Sequence, residues 1–437
     1  MKKLQAITMG CSKNRVDTEH ILSQLSGEYE IVPEGEAADF VDCQLINTCG
    51  FIGDAKEESI NMIMESIQAK NEGRIGKIYV FGCLSQRYSS EMPGLIPEVD
   101  GWFGATDFAP LLRTLGVEGD GRPGRFLTTP GHYAFLKISE GCDRRCSYCA
   151  IPFIRGRHRS VPMETLVEEA SALAASGVKE LIVIAQDTTY YGLDLYRRRA
   201  LGELLQKLSE VEGIEWIRIH YSYPADFPDD VLVQMAENPK VCRYMDIPLQ
   251  HIADKVLDNM HRNVDGAWTR ELISRMRERV PGVVLRTTMI VGHPGEGKAE
   301  FQELLDFVRD ARFERLGAFT YSEEEGTYGA EHFKDSVSAK VKQSRLDELM
   351  ELQRDISLDF NQSRTGEEIR VIVDDYSSGV LVCRSEFESP EVDGEILVKY
   401  DAALAEDVDP YSLVGEFITV KVTGADEYDL IAEIVSI

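Results

Sequence analysis

Lys137-Ile-Ser-Glu-Gly-Cys142-Asp-Arg-Arg-Cys146-Ser-Tyr-Cys149-Ala-Ile-Pro152 is the stretch on which the reading of this chain turns. Its CxxxCxxC follows directly on a short apolar run, Tyr133–Ile138. Three thiolates this close can grip three irons of one 4Fe–4S cube and leave the fourth iron open. An open iron is a coordination site at which a small molecule can chelate. The zinc alternative needs a fourth ligand and usually two CxxC pairs. A chance cluster of structural cysteines is the remaining alternative.

Outward from this motif, strand and helix patterns alternate. Apolar runs recur at Tyr133–Ile138, Glu180–Ala185, Trp216–His220, Tyr244–Leu249, Val283–Val291 and Leu316–Tyr321, with helical patterns such as Glu164–Ser176, Leu201–Val211 and Glu300–Arg312 between them. Pro162 opens the first helix and Gly177 closes it, as helix-end rules expect. Six βα units in one stretch predict a partial parallel (β/α)6 barrel, and the CxxxCxxC falls in its first βα loop, on the face where such barrels place chemistry.

Upstream, Leu4–Met9, Phe40–Asn47 and Lys77–Phe81 alternate with helical patterns over Asp17–Leu25 and Lys56–Lys70, predicting a small parallel α/β domain. Cys11, Cys49 and Cys83 each follow one of these strands, in Met9-Gly-Cys11, Asn47-Thr-Cys49-Gly50 and Phe81-Gly-Cys83. Loops at the carboxyl edge of a parallel sheet converge on one crevice, and strands stand only about 4.8 Å apart. The repeated placement favours a second cluster over three unrelated buried cysteines, the alternative that free cysteines always offer. Cys43, Cys242 and Cys383 have no ligand partner nearby in sequence and read as structural.

Downstream, a long polar helix over about Ser336–Ser363 precedes five period-two runs: Glu368–Val373, Gly379–Arg384, Glu395–Lys399, Glu416–Val422 and Leu430–Val435. They predict a small five-stranded antiparallel β-barrel of OB-like size. The expected division is 1–120 for the tri-cysteine domain, 130–364 for the barrel with its trailing helix, and 365–437 for the β-barrel, with Gly116–Gly131 as linker.

Composition bounds the function. The 437 residues include 43% apolar and 28% charged residues, an ordinary globular balance that excludes wholesale disorder. No run approaches the length of a membrane span. The apolar stretch within Met1–Asn14 is too short for a signal peptide, and Thr8-Met-Gly-Cys11 stands too near the start to be a lipoprotein cleavage site. A cytoplasmic location with reduced thiols is expected. Lys and Arg total 47 against 75 Asp and Glu, a net charge of −28. The final 73 residues hold 18 acidic and 4 basic residues, half of that excess. Such a surface repels a phosphate backbone and suits a basic partner.

CxxxCxxC after the first strand of a six-unit parallel barrel resembles the radical S-adenosylmethionine superfamily. The whole chain resembles its methylthiotransferases, which join a tri-cysteine domain, a radical barrel and a C-terminal TRAM barrel. The stretches that carry the resemblance are Met9-Gly-Cys-Ser-Lys-Asn-Arg-Val-Asp17, Asn47-Thr-Cys-Gly-Phe51, Lys137–Pro152, Ala185-Gln-Asp-Thr-Thr189, Asp246-Ile-Pro-Leu-Gln-His251 and Tyr321-Ser-Glu-Glu-Glu-Gly-Thr327. Two positions depart from it: Val161 stands where Arg is usual and His293 where Phe is common.

The resemblance implies two 4Fe–4S clusters, one on Cys11, Cys49 and Cys83 and one on Cys142, Cys146 and Cys149. The open iron of the second binds S-adenosylmethionine, whose reductive cleavage gives a 5′-deoxyadenosyl radical. The stretches are most similar to the branch that adds a methylthio group to the β-carbon of an aspartate in ribosomal protein S-twelve of the small subunit, a basic partner. An electron donor is required and its identity is open. The rival within the family modifies adenosine in tRNA and predicts a basic TRAM domain. The rival of another class, an iron–sulfur carrier, gives no reason for the barrel.

At the barrel mouth, Gln186, Asp187 and Gln250 could contact the cofactor's amino group or ribose, as such positions do in the superfamily; loop capping is the alternative. Gly292 and Gly295 could let adenine approach the backbone. Arg155, Arg157 and Arg159 read as a stripe that compensates cluster charge, contacts substrate or is simply solvated. Arg197–Arg199 read as surface, and His132, His251 and His293 as structural. In the acidic tail, Asp374, Asp375, Glu386, Glu388 and Glu391 are expected to face the basic partner.

Overall fold

Six strands alternate with helices in a continuous parallel sheet whose strand order follows the sequence: β6 (Tyr133–Lys137), β7 (Glu180–Ile184), β8 (Trp216–Ile219), β9 (Val241–Asp246), β10 (Val284–Val291) and β11 (Arg315–Thr320). The sheet is a partial barrel, with β6 and β11 as its edges. The computed structural model describes residues 1–36, 38–119, 124–400 and 408–437; of the expected linker, residues 120–123 lie outside them.

The strands are near-continuous apolar runs because both faces are covered. Ala134, Leu136, Leu181 and Val183 point outward, into one core shared with Leu166, Ala170, Leu204 and Leu208 of the surrounding helices. Tyr133, Phe135, Ile182 and Ile184 point inward, where Val16 of the N-terminal domain packs on them.

The N-terminal sheet is parallel, in the order β2 (Tyr29–Val32), β1 (Lys2–Thr8), β3 (Val41–Thr48), β4 (Ile75–Gly82), β5 (Gly101–Trp102). The edge strands β2 and β5 were not expected; four and two residues are too short for a periodicity to register. Helix α1 spans Ser12–Leu25 and α2 spans Gly53–Asn71. The pattern placed the first helix five residues later, because its opening turn carries polar residues that are nonetheless buried, Lys13 and Asn14.

The long helix α3 (Ala339–Ser363) packs on β11 and reaches the C-terminal barrel, where Ser357 and Asn361 donate to the carbonyls of Glu427 and Asp426. That barrel is closed, in the order β12 (Glu368–Ser377), β13 (Val380–Arg384), β14 (Ile396–Lys399), β16 (Leu430–Ser436), β15 (Phe417–Ala425). Four seams are antiparallel as expected, but β14 and β16 pair in parallel, Ile396 with Leu430. The chain leaves β14, crosses to form β15, and returns along the β15–β16 hairpin in the direction of β14.

The acidic tail corrects one expectation. Glu388 is buried and paired with Arg315 at 3.1 Å and Arg364 at 2.7 Å. Asp374 is held by Arg384 at 2.5 Å and His132 at 2.7 Å, Glu386 by Arg243 at 2.7 Å, and Glu391 by Arg15 at 2.6 Å. Four of the five carboxylates named from sequence therefore fasten the C-terminal barrel to the rest of the chain. Of the five, Asp375 stays exposed, near Glu395 and Asp429; burial first, then Asp429, Asp374 and Asp375, raise the pKa of Glu395.

Cys43, Cys242 and Cys383 are buried in three separate apolar clusters. Burial pushes the thiols of Cys43 and Cys242 up to about 12 and raises that of Cys383 as well. They pack as small hydrophobes. Each Cys→Ala change is expected to cost about 1–2 kcal/mol by denaturant unfolding and to leave the iron content intact; loss of a cluster from any one would contradict this packing role.

Two cysteine triads joined by a buried arginine

Strands β1, β3 and β4 are neighbours, so the loops at their carboxyl ends lie side by side. Cys11 caps the N-terminus of α1, Cys49 follows β3, and Cys83 opens the short helix Cys83–Arg87. The loops approach so closely that glycine is needed between them. Gly10 has φ +89°, and a Cβ there would stand 2.7 Å from Cβ and 3.0 Å from Sγ of Cys49. Cys11 and Cys49 both act on the Cys83 thiol, which burial pushes up to about 12 against the pull of Arg155. Burial likewise raises Cys49.

The second triad lies in the loop after β6, pinched by a two-residue antiparallel pairing of Ser139–Glu140 with Arg159–Ser160. Burial raises Cys149, and pushes Cys142 up to about 12. Cys142 and Cys146 both act on Cys149, so the three thiols share one locality. Arg262 donates to Cys146 Sγ at 3.5 Å and to Pro248 O at 2.5 Å. Its guanidinium and that of Arg144 each lie 4.1 Å from the ring centre of Tyr223.

Among the described residues, no three Cys, His, Asp or Glu side chains converge on a single ion. Three thiolates that can each bond a different iron suit a cube, whose fourth iron stays open. All-thiol donor sets are also what iron–sulfur chemistry selects. Both triads fit the group.

Arg155 joins the two triads. The sequence left its role open between cluster, substrate and solvent; the structure buries it, at 2% exposure. Nε donates to Cys83 Sγ at 3.3 Å, Nη1 to Asp17 at 2.7 Å and Glu140 at 3.0 Å, and Nη2 to Asn14 at 2.5 Å. It is six residues beyond Cys149, so one side chain spans from the second triad's loop to the first triad. Lys137 bonds Asp17 and lies 2.8 Å from Glu140, and Gln186 donates to Glu140 at 2.7 Å. Burial disfavours the Glu140 carboxylate, yet Lys137 and Arg155 outweigh it and hold its pKa at about 2. No spacing rule links Asn14, Asp17, Lys137, Glu140 and Arg155, so this network carries no signal along the chain. Arg157 is exposed, as a solvated residue would be.

The cofactor-contact candidates divide. Among the described residues, the buried Oε1 atoms of Gln186 and Gln250 have no hydrogen-bond partner, and are the kind of acceptor that a polar ligand's donor would satisfy. Gln250 also adopts φ +75° at the end of the β9 region, where its backbone bridges to β10. Asp187 is bonded within its loop: Arg144 donates to Oδ2 at 2.9 Å and Thr189 to Oδ1 at 2.6 Å. Gly292 is approached by a side chain. The stem of Lys342 from α3 fills the space where its Cβ would stand, and Asn259 does the same at Gly295. These glycines admit protein side chains. His132, His251 and His293 are buried; His251 pairs with Glu296 at 3.1 Å, and burial lowers His293 to about 4.

Comparison with known proteins agrees with this architecture. Residues 136–308 match the Radical SAM superfamily, residues 3–104 the Uncharacterized protein family UPF0004, and residues 365–435 the TRAM domain. Solved structures share the fold at low identity. A radical S-adenosylmethionine methyltransferase, TsrM from Kitasatospora setae, has a TM-score of 0.57 at 14% identity, over 76% of this chain and 77% of that one. Fold and matches thus define a radical S-adenosylmethionine enzyme with a TRAM tail. Among curated proteins, the chain is 51% identical to ribosomal protein uS12 methylthiotransferase RimO of Phocaeicola vulgatus, over 99% of both chains. It is 50% identical to the RimO of Bacteroides thetaiotaomicron over 100% of this chain and 99% of that one. The chain belongs to the RimO family of radical S-adenosylmethionine methylthiotransferases. Among the described residues, no helix is long and apolar enough to cross a membrane.

Proposed function

We propose that this chain transfers a methylthio group to the β-carbon of an aspartate in ribosomal protein uS12. The observation that carries the reading is the pair of cysteine triads brought into one interdomain site by Arg155. Cys11, Cys49 and Cys83 would hold one 4Fe–4S cluster, and Cys142, Cys146 and Cys149 the other. When bound, the second cluster and S-adenosylmethionine supply a radical able to take hydrogen from an unactivated carbon, and the protein orients and shields that chemistry. The chain's own part is positional. Arg262 and Tyr223 fix the Cys146 side of the loop, Arg144 and Asp187 fix its other side, and Gln186 and Gln250 offer free acceptors beside it. Val16 of α1 packs on the inward faces of β6 and β7 and so docks the first triad's domain on the barrel.

The substrate reading is tested by offering the anaerobically reconstituted enzyme both uS12 and bulk tRNA. Methylthio incorporation into uS12, seen by mass spectrometry, supports it; incorporation into tRNA alone promotes the tRNA rival. The acidic C-terminal barrel favours the basic protein. Reversing Asp375 and Glu395 to Lys is expected to slow association with uS12, and the difference from wild type should shrink as salt rises. An equal loss at all ionic strengths would remove the tail from recognition. Cytoplasmic work follows from a ribosomal substrate.

A further inference from the structure

Among the described residues, one cation at the site has no anionic partner. Lys13, two residues beyond Cys11 in the first turn of α1, is 8% exposed. Lys13 and Val16 share a face of α1, because helical residues three apart are neighbours. Val16 packs on the inner faces of β6 and β7, so Lys13 is directed to the same side. Its ammonium lies over the ring of Tyr221, 2.8 Å from the centroid. Tyr221 follows β8 at its carboxyl end, in the left-handed conformation with φ +59°.

The cations that share the surroundings of His220 with Lys13 are matched: Arg286 pairs with Asp246 at 2.8 Å and Arg218 with Glu180 at 2.8 Å. Among the described residues, Lys13 has neither a hydrogen bond nor an ion pair from its ammonium. A largely buried, unmatched charge costs free energy unless an anion completes it. A ring face supplies only part of that compensation.

We propose that Lys13 binds the side-chain carboxylate of the substrate aspartate at the barrel mouth. The inference rests on the proposed aspartate substrate and adds the residue that selects it. Chemistry supports the placement. The reacting β-carbon is bonded directly to the carboxylate carbon, so a cation between the first triad and the barrel holds the acid one bond from the carbon that both must reach. An ammonium also discriminates carboxylate from amide, which carries no charge to match it.

The test uses the full-length reconstituted enzyme, uS12, and uS12 with the target aspartate changed to Asn. Dissociation constants are measured by fluorescence anisotropy and modification by mass spectrometry, for wild type, Lys13→Met and Lys13→Arg, with iron content determined for each. Wild type is expected to bind the Asp form at least about tenfold tighter than the Asn form, the scale of one charge-assisted hydrogen bond. Lys13→Met should bind both forms alike, and Lys13→Arg should keep part of the preference. Equal weakening of both forms by Lys13→Met would overturn the proposal, as would a change confined to the KM for S-adenosylmethionine. Loss of iron from both variants would assign Lys13 to support of the first cluster and overturn it too. Failure of wild type to modify uS12 at all would instead overturn the substrate reading.

Discussion

Replacing Cys142, Cys146 and Cys149 together by Ala is expected to halve the iron of the reconstituted enzyme and abolish 5′-deoxyadenosine formation under dithionite. Replacing Cys11, Cys49 and Cys83 should also halve the iron, yet leave deoxyadenosine detectable and methylthio transfer absent. The asymmetry follows from position. The second triad sits in the first βα loop of the barrel, beside the free acceptors of Gln186 and Gln250, where a small cofactor can chelate an open iron. The first sits at the carboxyl edge of a separate sheet. Full iron in either triple variant would refute the two-site assignment.

Arg155→Met should be the most damaging single substitution outside the triads. It leaves Asp17 and Glu140 buried with one cation, Lys137, between them, and removes the donor to Cys83. Breaking a buried ion network from one side costs about 3–5 kcal/mol, readable by denaturant unfolding of the apo-protein. A loss under about 1 kcal/mol would mean that Lys137 suffices. The same network predicts acid sensitivity. Glu140 has a folded pKa depressed from 4.5 to about 2. Its contribution is therefore complete above its unfolded value and is lost as pH falls from about 4.5 towards 2. Arg155→Met should flatten that loss, since one of the two cations that depress the pKa is gone.

Much of this was legible in the chain itself. Six apolar runs spaced by amphipathic helices specify a parallel barrel, because a strand covered on both faces must be apolar throughout while its connecting helix is apolar on one side only. CxxxCxxC is local, so its chemistry travels with its spacing. The first triad was legible only through topology: 38 and 34 residues separate its members, but each follows a strand, and parallel strands align their carboxyl ends.

Tertiary structure alone decided the polar interior. Arg155, Asp17, Glu140 and Lys137 come from elements distant in sequence or from turns with no periodic signature, and only packing shows that their charges cancel in a dry interface. Charge counting misjudged the tail for the same reason. Net charge records how many carboxylates exist, whereas the barrel's docking determines that Glu386, Glu388 and Glu391 meet arginines, and Asp374 a histidine, of the rest of the chain. Gly292 showed the converse. A glycine in sequence says that something approaches the backbone, and the fold reveals the Lys342 stem in that place. Sequence determined the elements and the local ligand spacing, since both depend on near neighbours along the chain. Which charges are spent and which, like that of Lys13, remain to be matched depends on long-range contacts, and these exist only in the folded molecule.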